Sequence, residues 1–341
     1  MSANDLKDVA QAMVAPGKGL LAADESTGTA TKRFDAVGIE STDTSRRDWR
    51  ELLVTAPGAA DYISGVILYD ETIRQDASDG SKFPQMLEKV GIIPGIKVDT
   101  STHALPFAPG EQVTEGLDGL RERIAEYVDM GAKFAKWRAV IAIGDGIPSR
   151  LCIDANAHAL ARYAALCQEG GLVPIVEPEV LIDGEHSIDQ CYDVTDLTLR
   201  TVFDTLFEHR VSFEGMILKP SMVISGKGAS DRAGVEEVAE KTLRVLYRNV
   251  PAAVTGVCFL SGGQSAEEAT AHLDAMNKMA PNAPWQLSFS YARALQGTPM
   301  EIWNGDAANK EKAQKAFTFR AKLVSAARKG EYSPDMEKEA A

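Results

Sequence analysis

The 341-residue chain has few cysteines, no excess of basic residues and no long apolar run. Its four cysteines form no CxxC pair and follow no secretory leader, so we expect a reduced, cytoplasmic compartment. No stretch approaches the roughly 18 apolar residues that span a bilayer, so we expect no membrane insertion. The formal net charge is -13, which argues against duplex nucleic acid as a partner, because that partner requires a basic face.

Linear signatures of metal and nucleotide sites are also missing. The five histidines are isolated, without HExxH or paired spacing, so no metal site is expected. No GxGxxG follows the first apolar run, and "APGKG" at residues 15–19 lacks the rest of the P-loop pattern, which makes it a turn. We therefore expect no cofactor and a chemistry carried by side chains.

Eight short apolar stretches, each followed by helix-compatible sequence, indicate buried parallel strands. They begin about 30 to 45 residues apart, which is typical of repeated βα units. Eight units predict an α/β protein with a single (β/α)8 TIM barrel. An open doubly wound sheet is the alternative, ranked lower because no topological midpoint is visible. The predicted strands are residues 19–24, 63–69, 95–99, 133–138, 172–178, 215–220, 256–263 and 285–291.

No linker or composition break divides the chain. We therefore expect one TIM-barrel catalytic domain over residues 1–331 and a flexible C-terminal tail over residues 332–341, where the sequence turns charged in "EYSPDMEKEAA". The first 14 residues carry apolar side chains at helical spacing, which predicts an amphipathic surface helix.

Six of the predicted strands end in polar or titratable residues. Barrel enzymes carry their chemistry at the carboxyl ends of the strands. A single lysine there is easily a side chain that reaches solvent, but three lysines with two carboxylates indicate an active site. The six residues are Asp24, Lys97, Lys136, Glu177, Lys219 and Ser261.

Lys219 stands out because it follows the apolar run of "FEGMILKPS". A free lysine has a pKa of about 10.4, so the neutral amine that attacks a carbonyl is rare at neutral pH. Burial and the nearby positive charge of Lys136 both favour the neutral form. We therefore expect Lys219 to be a nucleophile.

Two loops predict a phosphate site. "FLSGGQS" at residues 259–265 follows the seventh strand, and its Gly262 and Gly263 allow backbone N–H groups to form an anion-binding concavity. Arg293 follows the eighth strand. Because barrels often bind phosphate after strands seven and eight, the coincidence favours phosphate binding over a plain turn and a solvated arginine.

Several blocks of the sequence, in order, resemble the class I fructose-bisphosphate aldolase family. They are "APGKGLLAADESTGT", "FAKWR", "PIVEPE", "VSFEGMILKPS", "AVTGVCFLSGGQS" and "FSYARALQ". The resemblance covers residues 5–334. It implies reversible cleavage of fructose 1,6-bisphosphate to dihydroxyacetone phosphate and glyceraldehyde 3-phosphate, in glycolysis and gluconeogenesis, by a cytoplasmic homotetramer.

The resemblance also implies roles for the residues at the strand ends. Lys219 matches the lysine that forms an imine with the ketone carbon of the substrate. Asp24 matches the carboxylate near the C4 hydroxyl, and Glu177 matches the acid/base that helps the carbinolamine lose water.

Three further residues complete the implied acid/base network. Lys136 matches the lysine that perturbs the nucleophile and stabilises negative charge. Glu179 is a second carboxylate close by, and Lys97 is expected to hold the carboxylates in place.

The resemblance implies two phosphate sites. The C1 phosphate would meet the SGG loop and the arginine of the eighth strand: Ser261, Gly262, Gly263 and Arg293. The C6 phosphate would meet residues of "STGTATKR": Ser26, Thr29, Lys32 and Arg33.

Two positions depart from the family pattern. Ala292 stands where many members have glycine, and its methyl group would lie near the C1 phosphate. The animal enzymes continue to a terminal tyrosine that assists proton transfer at C3, and Tyr332 is not that residue by position. We expect a water molecule or Glu177 to protonate the enamine instead.

Two other functions stay open at this point. Another Schiff-base barrel lyase, similar to a transaldolase or a deoxyribose-phosphate aldolase, would not need the second phosphate site at Lys32 and Arg33. A scaffold that binds cytoskeletal proteins would not need Asp24, Lys136, Glu177 and Lys219. The sequence does not decide between fructose 1,6-bisphosphate and fructose 1-phosphate as the preferred substrate.

Overall fold

Strands and helices alternate along most of the chain. The computed structural model describes residues 3–340. The strands are β1 (Gly19–Ala22), β2 (Ile63–Leu68), β3 (Ile93–Lys97), β4 (Ser101–Ala104), β5 (Gln112–Glu115), β6 (Phe134–Ile141), β7 (Val173–Val180), β8 (Ile217–Leu218), β9 (Gly256–Phe259) and β10 (Gln286–Tyr291). The α-helices are α1 (Ala3–Met13), α2 (Thr27–Asp35), α3 (Asp43–Val54), α4 (Asp70–Arg74), α5 (Phe83–Lys89), α6 (Leu120–Asp129), α7 (Arg150–Gly170), α8 (Ile188–Glu208), α9 (Val235–Asn249), α10 (Ala266–Met279), α11 (Arg293–Trp303) and α12 (Lys310–Arg328).

Eight of these strands close into a parallel barrel. Their order around the barrel is β1, β2, β3, β6, β7, β8, β9 and β10, and β10 pairs with β1 to complete the circle. Each strand therefore lies beside the one before it in the barrel's chain order, as right-handed βα units require. The predicted (β/α)8 barrel is confirmed, and the open sheet is excluded.

The alternation of side chains along the strands separates the barrel core from the site. Successive side chains point to opposite faces of a strand, so every second residue faces the barrel interior. Phe134 of β6 and Ile217 of β8 lie in the apolar interior cluster. Two residues further along, the same faces carry Lys136 and Lys219. The two-residue alternation of the strands thus places apolar side chains in the barrel core and charged side chains at its carboxyl mouth.

Helix α1 closes the amino-terminal mouth of the barrel. Its Leu6, Ala10 and Met13 are buried and pack into the interior cluster. The hydroxyl of Ser64, near the start of β2, donates to the carbonyl of Met13. The apolar face predicted for this helix thus seals the bottom of the barrel core.

A hairpin that the sequence analysis did not predict follows β3. Its strands β4 and β5 pair in antiparallel register outside the barrel. Three of the four residues of β4 are exposed, so the segment lacks the apolar run by which the barrel strands were recognised.

Residues 334–340 form a 3-10 helix. Its Glu337 accepts hydrogen bonds from the hydroxyl of Tyr332, at 2.8 Å, and from Arg320 of α12. The mobility of the tail 332–341 and the domain boundaries at residues 1 and 331 stay predictions, and residues 1, 2 and 341 lie outside the described range. No described helix is both long and apolar enough to cross a bilayer.

Candidate active site at the carboxyl mouth of the barrel

A cavity of about 650 Å³ opens at the carboxyl ends of the barrel strands. It is lined by every residue predicted for catalysis and by every predicted phosphate ligand except Gly263. Gly263 lies beside the lining, because a Cβ atom built on it would be 3.7 Å from Nη2 of Arg293. The structure therefore brings the predicted residues together in one place.

Lys136 is the electrostatic centre of the site. Its Nζ is buried and lies 2.8 Å from Oδ2 of Asp24, 3.3 Å from Oε2 of Glu177 and 3.9 Å from Oδ2 of Asp99. Burial lowers the pKa of Lys136, but the three carboxylates together raise it well above its usual range. Lys136 is therefore a permanent cation.

Asp24 and Glu177 are ionised because buried ammonium groups lie beside them. Burial is the largest single influence and raises the pKa of both Asp24 and Glu177. The ammonium groups of Lys136 and Lys219 outweigh it and lower both values below the usual range. Both residues are consequently carboxylates at neutral pH.

Lys219 has a different environment from Lys136. Its Nζ is also buried, but within the described contacts it pairs with one carboxylate, Oε1 of Glu177 at 3.2 Å. Its backbone N–H donates to the carbonyl of Val176, 2.8 Å away, which continues the pairing of β8 with β7 by one residue. Glu177 thus lies between the two buried lysines.

Oε2 of Glu177 is open to a further hydrogen bond. It is buried, and its ion pair with Lys136 lacks hydrogen-bond geometry, so no described donor is aligned with it. A buried carboxylate oxygen without a donor is a suitable acceptor for a proton or a substrate hydroxyl.

Two residues of the charge network were missed in the sequence analysis, and each lies two positions beyond a predicted one. Nζ of Lys97 lies 3.4 Å from Oδ1 of Asp99. Arg138, two residues after Lys136, forms an ion pair with Glu179 through its Nε. Strand alternation gives residues i and i+2 the same face, so this period was a signal by which both could have been found.

The first predicted phosphate site combines a glycine turn and a helix start. Gly262 and Gly263 have φ angles of +44° and +81°, which side chains other than glycine rarely adopt. Helix α11 begins at Arg293, and no side chain caps its first turn. Uncapped N–H groups at a helix start favour an anion.

Ala292 precedes this helix. Its φ is -104° and its ψ is -89°, so the position does not have the positive φ that glycine adopts most readily. Its side chain is partly buried against the apolar interior of the barrel.

The second predicted phosphate site lies at the start of α2. Ser26 caps this helix, and its hydroxyl lies 3.1 Å from that of Thr29. Lys32 is exposed. Arg33 is not free: its Nη1 forms an ion pair with Oε1 of Glu25, a residue that the sequence analysis did not single out.

Gln296 of α11 is a second partner of Glu25. Its Nε2 donates to Oε1 of Glu25, 3.1 Å away, and to the carbonyl of Ala22, 2.6 Å away. Its Oε1 accepts from Nε1 of Trp49 at 3.2 Å. The carboxamide is therefore fixed, and so is the carboxylate of Glu25.

Comparison with known proteins identifies the family to which this chain belongs. The model of the family "Fructose-bisphosphate aldolase class-I" matches residues 5–341. The chain belongs to this family. Its fold and its membership of the aldehyde-lyases are thus as the sequence predicts.

Individual aldolases agree with this assignment. The probable fructose-bisphosphate aldolase class 1 of Xanthomonas campestris pv. campestris is 59% identical, over 94% of this chain and 96% of that one. The cytosolic fructose-bisphosphate aldolase 4 of Arabidopsis thaliana is 51% identical, over 94% and 82%. The aldolase of Plasmodium falciparum, crystallised in complex with TRAP and a small-molecule inhibitor, superposes with a TM-score of 0.95 at 46% identity, over 97% and 96% of the chains.

Two other sequence expectations concern this aldolase site. Tyr332 contacts Glu337 and is not among the residues that line the cavity. Among the side chains of residues 4–338, no three of His, Cys, Asp or Glu are grouped so that they could hold a metal ion. Metal-free catalysis itself stays a prediction.

Proposed function

We propose that this aldolase cleaves fructose 1,6-bisphosphate through an imine on Nζ of Lys219. The contrast between two buried lysines carries the proposal. Lys136 faces three carboxylates and keeps its proton, whereas Lys219 faces one oxygen of Glu177. Only a neutral amine attacks a ketone, so Lys219 is the nucleophile and Lys136 the fixed charge beside it.

The proposed reaction begins at the ketone carbon C2. Oε1 of Glu177, 3.2 Å from Nζ of Lys219, accepts a proton from this lysine, and the neutral amine adds to C2 to form a carbinolamine. Glu177 then returns the proton to the carbinolamine hydroxyl, which leaves as water. The resulting iminium ion is the electron sink. Asp24 removes the proton of the C4 hydroxyl, the C3–C4 bond breaks, and its electron pair enters the iminium to give an enamine.

Glyceraldehyde 3-phosphate leaves at this stage. Protonation of the enamine at C3, by a water molecule or by Glu177, and hydrolysis of the imine then release dihydroxyacetone phosphate and restore Lys219. Oε2 of Glu177 accepts no hydrogen bond from a described donor, which supports a role for Glu177 in these proton transfers.

The remaining charges position this chemistry. Lys136 stabilises negative charge that develops on substrate oxygens. Lys97 pairs with Asp99, which in turn faces Lys136, and Arg138 fixes Glu179. These residues keep the reacting groups in place because each is ion-paired.

The two ends of the substrate are assigned to the two anion sites. The turn at Gly262 and Gly263, with Ser261 and Arg293, would hold the C1 phosphate. The start of α2, with Lys32 and Arg33, would hold the C6 phosphate. Local positive charge at each end outweighs the net negative charge of the chain, which is screened over about 10 Å.

Borohydride trapping tests the imine directly. The protein is mixed with dihydroxyacetone phosphate and borohydride in the presence of EDTA, and the adduct is located by intact mass and peptide mapping. We expect a stable adduct on Lys219 that is lost in Lys219→Met. In Lys136→Met the adduct, where one forms, should still map to Lys219; an adduct on Lys136 in the parent protein, no adduct on folded protein, or cleavage abolished by EDTA would refute the proposal.

The cellular setting is part of the proposal. The reaction serves glycolysis in one direction and gluconeogenesis in the other, and cytosolic relatives support a cytoplasmic location. We propose a homotetramer, as the family resemblance implies. Light scattering coupled to gel filtration should give four times the chain mass of 36.7 kDa, and a monomer mass would contradict it.

A further inference from the structure

We propose that Glu25 is an internal counter-ion of the C6-phosphate site and that it reduces the preference for fructose 1,6-bisphosphate over fructose 1-phosphate. The inference rests on the proposed function, because it assumes that Arg33 meets a second phosphate. Glu25 acts through Arg33 and is therefore a specificity-determining residue, not a catalytic one.

The contacts of Glu25 carry the argument. Its side chain is 8% exposed and lines the cavity. One oxygen, Oε1, accepts from both Arg33 and Gln296, and its backbone carbonyl accepts from Arg50 at 2.7 Å. A carboxylate held by two donors, on a backbone that a third donor fixes, does not leave the site readily, so the second phosphate has to bind beside it.

Among the described residues, no acid is paired with the arginine of the first phosphate site. Arg293 is exposed at the start of α11, and within the described residues no salt bridge joins it to a carboxylate. Its charge is fully available to a phosphate, whereas the charge of Arg33 is already matched by Glu25. The two ends of the cavity therefore differ in the electrostatic attraction that they offer.

Glu25 has two physical effects that reduce the preference for fructose 1,6-bisphosphate over fructose 1-phosphate. When the substrate carries a C6 phosphate, the carboxylate repels it and competes for the guanidinium of Arg33. When the substrate lacks that phosphate, Glu25 keeps Arg33 hydrogen-bonded, so the partly buried guanidinium is not left unpaired. Both effects narrow the difference in binding between the bisphosphate and the monophosphate.

The test is the ratio of kcat/KM for fructose 1,6-bisphosphate to kcat/KM for fructose 1-phosphate. Glu25→Gln removes the charge and keeps an acceptor for Arg33. We expect the ratio to rise about three- to tenfold, mainly through a lower KM for the bisphosphate. Glu25→Asp, which withdraws the carboxylate by one methylene, should raise the ratio less and serves as the second variant if Glu25→Gln does not fold.

A double-mutant cycle shows whether Glu25 acts through Arg33. In an Arg33→Met background, Glu25→Gln should no longer change the ratio. Glu301→Gln is the matched control, because Glu301 lines the same cavity on α11 and no described ion pair joins it to Arg33. It should change the ratio less than Glu25→Gln does.

Each contrary result overturns the inference. These results are a ratio that falls or stays constant in folded Glu25→Gln, an effect that persists without Arg33, and an equal effect of Glu301→Gln. Failure of the proposed function looks different: the parent protein would then cleave neither substrate, or Lys219→Met would still cleave both.

Discussion

Replacing Lys136 by methionine should destabilise this aldolase because it leaves buried carboxylates without their main counter-ion. Nζ of Lys136 lies within 4 Å of Asp24, Glu177 and Asp99, all largely buried. Removing one partner of a buried ion pair costs about 3–5 kcal/mol. Methionine preserves much of the side-chain volume, so the loss is mainly electrostatic.

The expected shift in melting temperature follows from the length of the chain. At about 2.1 cal/mol/K per residue, 341 residues give an unfolding entropy of about 0.7 kcal/mol/K. A loss of about 3–5 kcal/mol therefore lowers the Tm by about 4–7 °C. This shift is easily resolved by differential scanning calorimetry.

The pH dependence distinguishes this electrostatic cause from a packing defect. In the parent protein the pKa values of Asp24 and Glu177 are lowered on folding. Their contribution to stability is therefore present above their unfolded pKa values, near 4, and is lost as the pH falls through the folded values. Without Lys136, we expect burial, which is the largest single influence on both groups, to outweigh the remaining cations and to raise the folded pKa values above the unfolded ones. The carboxylates then oppose folding at neutral pH, and protonation relieves them as the pH falls.

The assay is the Tm of both proteins between pH 8 and pH 5, with Lys133→Met as the control. Lys133 is 39% exposed, and its nearest described acid, Glu88, is 3.7 Å away, so its removal should cost less than about 1 kcal/mol at any pH. The deficit of Lys136→Met should be largest at pH 7 to 8 and smaller at pH 5. A Tm within 1 °C of the parent at pH 7, or a deficit that does not depend on pH, would refute the reasoning.

Two further predictions concern the reaction. Glu177→Gln should lower kcat about 10²- to 10⁴-fold, because it removes an acid/base group. Glu179→Gln is the control: its carboxylate is already bound by Arg138, so kcat should fall less than about tenfold in the same assay. Equal losses in the two variants would contradict the assignment of Glu177 as the acid/base. Ala292→Gly should change the free energy of unfolding by less than about 1 kcal/mol, because the φ of Ala292 is negative and the main difference is the greater freedom of glycine in the unfolded chain. Its KM should change less than about twofold, since the backbone N–H remains as a phosphate donor; a severalfold lower KM would show that the methyl group crowds the phosphate.

The barrel was predictable because its strands are buried on both faces. Such strands appear as short apolar runs, and their spacing leaves room for one helix each. The hairpin of β4 and β5 was not predictable in this way. Its residues are largely exposed, and its pairing depends on the turn between Ala104 and Gln112, not on an apolar pattern.

Some residues of the site could likewise be predicted from the sequence, and others could not. Arg138 follows Lys136 by two positions on β6, and Asp99 follows Lys97 by two positions just past the end of β3. The two-residue alternation of an extended chain therefore predicts both positions. Glu25 and Gln296 are 271 residues apart in sequence and meet only because β1 and the start of α11 lie side by side in the closed barrel. No local pattern contains that contact, since it depends on the pairing of the first strand with the last.

The balance of charges around Glu177 bears on why the imine forms. Three lysines and three carboxylates face one another here: Lys97, Lys136, Lys219, Asp24, Asp99 and Glu177. With Lys219 protonated, the charges cancel. A neutral amine or carbinolamine at Lys219 leaves one carboxylate uncompensated in a buried site, which is costly. The protonated imine restores the missing positive charge at nearly the same position, so the network favours loss of water from the carbinolamine and stabilises the electron sink before the C3–C4 bond breaks.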